Sequence, residues 1–371
     1  MTTALKILLV GDYPPPNGGV ATHVDELFRA MRTRGRQCEV LDIGKGQLPA
    51  DGVTPAGNMA RFAGLLASFS ARGYRIHLHT NGANPKSWLL ALACAAAGRL
   101  AGQPALITLH SGLGPAWLAE SRARQRMASA VLGQFGTVIA VNDEIRKALN
   151  VAGAVVLPAF SLEFLQPGPP PPGLAELRAD ASPLFCAMVA PRPEYGEEIL
   201  LQAFEQVRQS LPSARLALYG PGSETSGLKP EARSPKPLHL YLHRFGELPR
   251  PQALALIAAC DVFVRPTLAD GDSVSVREAL ALGRAVVATR VGNRPAEVKL
   301  VAPGDASSLS KGLLEAAGEI SARPARSVGP PAADSLSRIL SLYGVAEPAA
   351  EAAVAERSAK EEAPCAASAA S

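Results

Sequence analysis

Two carboxylates in the second half of the chain, Asp270 and Glu278, are the residues best suited to chemistry. They follow an apolar run and bracket Ser273 and Val274, where a helix is predicted to begin. Sugar and ribose hydroxyls bind well to carboxylates, which accept several hydrogen bonds at once. N–H groups at the start of a helix attract an anion such as phosphate. This stretch therefore predicts a site for a sugar or ribose that carries phosphate.

The same stretch also has a purely structural interpretation. Asp272 or Ser273 would cap the helix, and Arg277 and Glu278 would form a solvated ion pair. We expect capping to occur. It does not explain why so much polarity follows a strand in a chain otherwise rich in alanine.

A second candidate site is the loop over residues 11–19, which ends in Gly18 and Gly19 just before another predicted helix. Paired glycines let a ligand approach the backbone closely, and the helix start favours a phosphate, although a tight turn alone would also need glycine. The G-x-G-x-x-G spacing of dinucleotide folds is absent. A dehydrogenase is therefore disfavoured, even though Asp42 ends the second predicted strand, where a ribose-binding acid would lie.

These loops must be positioned by alternating strands and helices. Short apolar runs predict strands at residues 5–10, 38–43, 76–79, 105–109 and 138–141, and helical spacing predicts helices from residue 20 and over 87–97 and 116–133. After a proline-rich stretch the pattern resumes, with strands at 184–189, 215–219, 262–265 and 285–289 and helices at 197–211, 250–259 and 276–282. Such alternation is typical of open parallel α/β domains.

The predicted organisation has five parts. Residues 1–160 form an N-terminal domain on the acceptor side, 161–182 a linker, 183–328 a C-terminal donor domain, 329–345 a final helix and 346–371 a disordered tail rich in alanine and glutamate. Asp334 is the expected cap of the final helix, which should span 336–343.

Composition excludes several classes of protein. The chain has 371 residues with 37 basic and 33 acidic side chains, too even a balance for a nucleic-acid binder. No apolar run approaches the ~20 residues of a membrane span, and no secretory signal is evident. The cysteines lack a C-x-x-C pair and predict a reduced, cytoplasmic protein. They are Cys38, Cys94, Cys186, Cys260 and Cys365.

Several segments together resemble family 4 glycosyltransferases, in particular the bacterial members that assemble polysaccharides. The resemblance covers residues 4 to about 315. It implies the GT-B fold, in which two Rossmann-like, doubly wound domains face each other across a cleft and the last helix crosses back to the first domain. The segments are Gly18-Gly19, Leu109-His-Ser-Gly112, Val138-Ile-Ala-Val-Asn142, Phe245-Gly-Glu-Leu248, Cys260-Asp-Val-Phe-Val-Arg-Pro-Thr267 and Glu278-Ala-Leu-Ala-Leu-Gly-Arg-Ala-Val-Val-Ala288.

The resemblance also implies roles for individual residues. Asp270 would hold hydroxyls of the donor sugar, and Glu278 would hold the ribose of the nucleotide. The other implied contacts are Gly18 and Gly19 near the donor diphosphate, His110 beside the transferred sugar, and the backbone N–H groups of Ser273 and Val274 at the phosphates.

This chain departs from the family pattern where the diphosphate leaves. Tyr195 stands at the place of a usual lysine, and no basic residue occupies Val189 or Ala190. Arg192 is the candidate substitute from a shifted position. Without a replacement, one lost electrostatic contact of this type would cost roughly 2.7–4 kcal/mol. The first acid, Asp270, is also one methylene shorter than the usual glutamate.

The resulting prediction is a metal-independent, retaining glycosyltransferase without a cofactor. It would use a nucleotide-diphosphate sugar, UDP- or GDP-linked, to extend a polysaccharide or lipid-linked acceptor in cell-envelope or exopolysaccharide assembly. The alternatives are a catalytically inactive homologue that serves as a scaffolding subunit and a nucleotide-sugar epimerase. Domain closure across the linker would exclude water.

Two further features give weaker indications of function. His77 and His79 share one face of a strand, as do His239 and, less closely, His243, but no third metal ligand is apparent, and ordinary packing is favoured. The predicted helix 116–133 carries three arginines near Trp117. A solvated face is the favoured interpretation, and peripheral contact with the inner face of an anionic membrane is the alternative. The arginines are Arg122, Arg124 and Arg126.

Overall fold

A computed structural model of the protein describes residues 5–46, 48–223, 241–320 and 335–345. Some of the predictions above lie outside these ranges. They are the helix cap at Asp334 with the rest of 329–334, the tail 346–371, His239 and Cys365.

The first half of the chain builds one parallel sheet with helices on both faces. Its strands are β1 (Lys6–Gly11), β2 (Gln37–Asp42), β3 (Val53–Pro55), β4 (Arg75–Thr80), β5 (Leu106–Leu109), β6 (Thr137–Ala140) and β7 (Val155–Val156). Its helices are α1 (Gly19–Thr33), α2 (Met59–Ala71), α3 (Pro85–Leu100), α4 (Leu113–Ala119), α5 (Arg122–Leu132) and α6 (Asp143–Leu149). The strand order is β3-β2-β1-β4-β5-β6-β7.

The second half repeats this plan. Its strands are β8 (Leu184–Met188), β9 (Arg215–Tyr219), β10 (Leu242–Arg244), β11 (Val262–Arg265), β12 (Ala285–Thr289) and β13 (Lys299–Val301). Its helices are α7 (Leu174–Asp180), α8 (Glu197–Ser210), α9 (Arg250–Ala259), α10 (Val274–Ala281) and α11 (Ala306–Glu319). The strands run in the order β10-β9-β8-β11-β12-β13, and all pairings are parallel.

The central strands are mostly apolar because helices cover both faces of each sheet. In β1, for example, Ile7, Leu8, Leu9 and Val10 are all fully buried. Alternate residues therefore enter different cores, one on each side of the sheet.

The last described helix, α12 (Ser335–Tyr343), lies on the N-terminal domain. Leu336, Ile339, Leu340 and Tyr343 fall on one helical stripe and are at most 3 % exposed. They pack in the core cluster that contains the β1 residue Leu9. Burying side chains of this size contributes roughly 1.5–3 kcal/mol each, so α12 is firmly attached to the N-terminal domain.

Two local predictions need correction. The predicted helix 116–133 is two helices, α4 and α5, because Ser121 has an extended backbone and its side chain caps α5 by accepting from the Ala123 N–H. The predicted linker 161–182 contains α7, whose Leu174 is 3 % exposed in a core cluster of the second domain.

In each sheet the strand order reverses beside the first strand of the domain. The chain builds β2 and β3 on one side of β1 and then returns to place β4 on the other side, and β8 lies in the same way between β9 and β11. Ligands of open α/β sheets bind beyond the carboxyl ends of the strands at such points. Both sheets direct these points toward one shared cleft, described next.

Candidate active site

A cleft of about 440 Å³ lies between the two domains. Its walls come from the loops after β1, β4 and β5 of the first domain and after β8, β9 and β11 of the second. All nine sequence-predicted site residues line it: Gly18, Gly19, His110, Arg192, Tyr195, Asp270, Ser273, Val274 and Glu278.

The helix that begins at this cleft, α10, has no side-chain cap. Its N-cap residue is Ser273, and no side chain in the described part of the chain accepts from the first turn. Asp272, the other expected cap, instead binds Arg277 through two hydrogen bonds of 2.7 and 2.8 Å. The capping prediction is therefore wrong, and the N–H groups at the start of α10 are left to a ligand.

A second uncapped helix start meets the first. Gly18 is the N-cap of α1, with extended backbone and no side-chain cap among the described residues. A Cβ on Gly19 would lie 3.8 Å from Val274 Cγ2. Two helix starts thus converge from opposite domains, a geometry that concentrates N–H donors and positive dipole ends at one point.

Glu278 belongs to a cluster of two carboxylates on one arginine, which we call the Arg250 cluster (Glu26, Arg250, Glu278). Arg250 Nε and Nη2 donate to Glu278 Oε1 at 3.1 and 3.0 Å. Arg250 Nη2 also lies 2.6 Å from Glu26 Oε1, as an ion pair without hydrogen-bond geometry. Since Glu26 is on α1 and the other two are on α9 and α10, the cluster joins the two domains. The predicted solvated pair of Arg277 and Glu278 does not form.

Burial shifts the protonation of both acids in the Arg250 cluster. It raises the pKa of Glu26 to about 8, although Arg250 acts in the opposite direction. Burial likewise raises the pKa of Glu278 against the attraction of Arg250. Glu278 Oε2 makes no hydrogen bond to a described residue, so it is available to a ligand hydroxyl in the cleft.

Asp270 belongs to a cluster of the opposite composition, the Asp270 cluster (Arg265, Asp270, Arg294). Asp270 Oδ2 accepts from Arg265 Nε and Arg294 Nη2, both at 3.0 Å, and from the Thr267 hydroxyl at 3.3 Å. Asp270 Oδ1 accepts from the Gly271 N–H at 3.0 Å and from no other described residue. Burial alone would raise the pKa of Asp270, but the two guanidinium groups bring it below its ordinary value.

His110 is held by a buried group of imidazoles. His79 Nδ1 and His110 Nε2 are 3.2 Å apart, and the rings of His23, His77 and His79 lie within 5.5 Å, centroid to centroid, of another ring in the group. Burial lowers the pKa of His110 well below its usual value, with His23 and His77 adding to the effect. His110 is therefore neutral at physiological pH.

The domains also touch directly around the cleft. Asn142 Nδ2 donates to the Gly271 carbonyl at 2.8 Å, and the Asn17 N–H donates to Glu247 Oε1 at 2.7 Å. A Cβ on Gly112 would lie 1.9 Å from the Asp270 carbonyl oxygen. Only glycine fits this approach, so the loop after β5 closes onto the loop that carries Asp270.

Two residues expected to serve the leaving group lie after β8. Tyr195 ends a short 3-10 turn (Pro193–Tyr195), and its ring centroid is 5.1 Å from the Arg265 guanidinium carbon. Arg192 is exposed, and its charge acts to lower the pKa of Asp12 in the first domain. Asp42 instead holds the first loop, accepting from the Tyr13 and Gly44 N–H groups.

Sequence reasoning missed four residues that shape the cleft or the clusters behind it: Glu26, Arg250, Arg265 and Arg294. Arg265 had a visible signal, because an arginine that ends an otherwise apolar strand stands where ligands bind. The other three pair through contacts distant in sequence, for which the chain gives no local sign. His79 was singled out for its strand face, but its contact with His110 was not foreseen.

Two other kinds of feature are absent from the described residues. Among the described residues, no group of three or more histidine, cysteine or acidic side chains has a geometry that would hold a metal ion. None of the helices in the same ranges combines the length and hydropathy of a membrane crossing.

Comparison with solved structures shows the fold class. Anabaena HepE in complex with UDP and glucose is 20 % identical, with a TM-score of 0.60 over 86 % of this chain and 94 % of that one. Sucrose-phosphate synthase from Thermosynechococcus elongatus is 18 % identical, with a TM-score of 0.63 over 96 % and 98 %. With the two facing parallel sheets, these likenesses show the GT-B fold.

The sequence matches cover a smaller part of the chain, and the match to a family model lies in the second domain. Residues 182–318 match the family model described as glycosyl transferases group 1. A D-inositol 3-phosphate glycosyltransferase from Segniliparus rotundus is 32 % identical over 149 residues, which are 39 % of this chain. That match spans 33 % of the relative.

Proposed function

We propose that the protein is a retaining glycosyltransferase that transfers a sugar from a UDP- or GDP-sugar to a polysaccharide or lipid-linked acceptor. The observation that carries the proposal is the convergence of all nine expected site residues on one interdomain cleft. The match of residues 182–318 to glycosyl transferases group 1 supports it. HepE, similar in fold, has a structure with UDP and glucose.

The second domain would hold the nucleotide. Glu278 Oε2 would accept from a ribose hydroxyl, while Oε1 stays fixed by Arg250. The N–H groups of Ser273 and Val274 would meet the diphosphate at the uncapped start of α10, and Gly18 and Gly19 would approach it from α1. A carboxylate beside the ribose and N–H donors beside the phosphates match the charges of a nucleoside diphosphate.

The chemical step would occur at the meeting of the two domains. The bond from the anomeric carbon to the phosphate oxygen breaks, and its electron pair passes to that oxygen. The acceptor oxygen bonds to the same face of the carbon, and its proton passes to the released diphosphate. Asp270 Oδ1 and the neutral ring of His110 would orient sugar hydroxyls, while the closed loops exclude water.

Titration calorimetry tests the donor site. UDP, GDP and ADP are titrated with and without Mg²⁺ into the wild type, Glu278→Gln and the control Glu26→Gln, which changes the same cluster outside the cleft lining. We expect micromolar, metal-independent binding of one nucleotide, weakened at least tenfold in Glu278→Gln only. No binding by the wild type would favour the inactive scaffolding subunit.

Turnover with the matching nucleotide sugar separates transfer from epimerisation. Release of nucleoside diphosphate that depends on an acceptor, with a product of unchanged anomeric configuration by NMR, is the expected result. Conversion of the nucleotide sugar without an acceptor would identify an epimerase. Asp270→Asn should retain nucleotide binding and lose turnover.

Location in the cytoplasm, with peripheral contact at the inner face of the membrane, belongs to the same proposal. The four described cysteines are free and buried, as in reduced proteins. Arg122 and Arg126 are exposed on α5, whereas Arg124 donates to the Trp117 carbonyl at 3.1 Å and pairs with Glu120. Sedimentation with anionic and neutral vesicles tests the contact: we expect binding to anionic vesicles only, lost in an Arg122→Glu/Arg126→Glu variant.

A further inference from the structure

Arg265 lies beside the end of β8, where the sequence lacks the basic residue expected at Val189 or Ala190. Val189 and Ala190, which directly follow that strand, carry no charge. Strand β11 lies beside β8, with Val264 paired to Ala187, so Arg265 emerges next to the end of β8. Its Nη1 is 3.6 Å from Met188 Sδ. An adjacent strand thus delivers a guanidinium to the place left without one.

The Arg265 guanidinium has donors for which no described residue is a strong acceptor. Nε donates to Asp270, Nη1 reaches only the Met188 thioether, which is a weak acceptor, and Nη2 makes no hydrogen bond to a described residue. Arg265 is 8 % exposed and lines the cleft. Nη2 is not fully buried, so it opens to the cleft, where a ligand can accept its hydrogen bonds.

The charges of the Asp270 cluster make that ligand an anion. One carboxylate faces two guanidinium groups, which leaves one formal positive charge. Arg294 is satisfied within the protein, donating to the Thr267 hydroxyl at 3.2 Å and the Thr289 carbonyl at 3.2 Å as well as to Asp270. It does not line the cleft. The uncompensated charge therefore acts through Arg265.

Arg192, the residue suggested by sequence, is placed less well for this task. It is exposed on the loop after β8, and its charge acts to lower the pKa of Asp12 in the first domain. Water screens a solvated cation strongly, whereas a desolvated one interacts at a much lower effective dielectric constant. Of the two arginines, the buried Arg265 has the stronger hold on a bound anion.

We propose that Arg265 is the catalytic residue that contacts the donor diphosphate and stabilises its charge as the sugar leaves. This inference rests on the proposed function and specifies its leaving-group site. Arg265 contributes in the step in which the electron pair of the broken bond passes to the phosphate oxygen, because negative charge grows there. Asp270, which also accepts from Arg294, holds the guanidinium in place.

The test compares nucleoside diphosphate with nucleoside monophosphate of the base that the wild type binds. Arg265→Gln keeps a donor for Asp270 and leaves a balanced Asp270–Arg294 pair, so it should fold; Arg265→Met is a second uncharged variant. We expect a loss of roughly 10- to 100-fold in diphosphate affinity and less than about threefold in monophosphate affinity. Turnover should fall roughly 10²- to 10³-fold.

Two matched variants separate this role from a structural one. Arg294→Gln removes the same formal charge from outside the cleft but removes no donor that faces the ligand, so it should lower the ratio of diphosphate to monophosphate affinity less than Arg265→Gln does. Arg192→Gln should change the ratio by less than about threefold, since an exposed charge contributes little. An unchanged ratio in a folded Arg265 variant, or a loss of the ratio in Arg192→Gln instead, would overturn the inference. Failure of the wild type to bind any nucleoside diphosphate would instead contradict the proposed function.

Discussion

The Arg250 cluster and the Asp270 cluster are mirror images in charge. Each contributes two residues to the cleft lining and one residue behind it, Glu26 in the first and Arg294 in the second. The Arg250 cluster has one arginine between two carboxylates, and the Asp270 cluster has one carboxylate between two arginines. The Arg250 cluster at the proposed ribose position thus has one acid in excess, which the raised pKa of Glu26 leaves mostly protonated at neutral pH. The Asp270 cluster at the proposed diphosphate position has one guanidinium in excess.

The two clusters also differ in how they relieve a charge imbalance. A buried carboxylate can take up a proton, and the pKa of Glu26, raised by burial to about 8, shows this tendency. A guanidinium stays protonated at any accessible pH. The Arg250 cluster can therefore adjust its charge with pH, whereas the Asp270 cluster keeps its positive charge fixed, which suits a site that must always receive an anion.

The largest effect is expected from removing the centre of the Asp270 cluster. Asp270→Ala leaves Arg265 and Arg294 buried without their carboxylate, and neither can lose its charge. Breaking a buried pair of this kind costs about 3–5 kcal/mol. Thermal unfolding followed by circular dichroism measures the loss, which should be nearly independent of pH between 5.5 and 8.5. A combined Asp270→Ala/Arg294→Met variant should recover part of it.

Replacing Arg250, the centre of its cluster, should lower the free energy of unfolding by a smaller amount, and this loss should depend on pH. In Arg250→Met both buried acids lose their cation, but each can protonate, since burial raises the pKa of Glu26 and of Glu278. Stability should then fall as pH rises above the unfolded-state pKa near 4.3. We expect a loss below about 1 kcal/mol at pH 5.5 that approaches about 3 kcal/mol at pH 8.5. A loss independent of pH would show that the clusters do not differ in this way.

Much of the fold could be read from the sequence, because buried parallel strands are continuous apolar runs. Three strands have the bounds that the sequence predicts: β9 (215–219), β11 (262–265) and β12 (285–289). The edge strands β3, β7, β10 and β13 are only two or three residues long, too short to be recognised as buried strands, and were missed. Pairing with a neighbouring strand, which is not visible locally, determines that they are strands at all.

The site was predictable to the extent that strand ends and helix starts fix it. Parallel strands bring Gly18, His110 and Asp270 to one cleft, so motif positions alone found its lining. The partners of the charged residues could not be found in this way. Glu26 meets Arg250, far along the chain, only because the two domains close, and no spacing encodes that contact.

The smallest predicted effect concerns Glu26, the residue of the Arg250 cluster that lies behind the cleft lining. Glu26 has a pKa of about 8 when folded, above its unfolded value, so the folded state binds the extra proton between those two values. Wild-type stability from this group is full at acidic pH and is lost as pH rises toward 8. Glu26→Gln keeps an acceptor for Arg250 but does not titrate. The free energy of unfolding of the variant, relative to that of the wild type, should therefore rise by at least about 1 kcal/mol between pH 5.5 and 8.5, because one pKa unit corresponds to about 1.4 kcal/mol.

The control is Arg294→Gln, the matched change behind Asp270, which should show no such trend. Parallel melting curves of the two variants and the wild type at both pH values provide the measurement, and equal pH trends in the two variants would remove the proposed contrast between an adjustable and a fixed cluster.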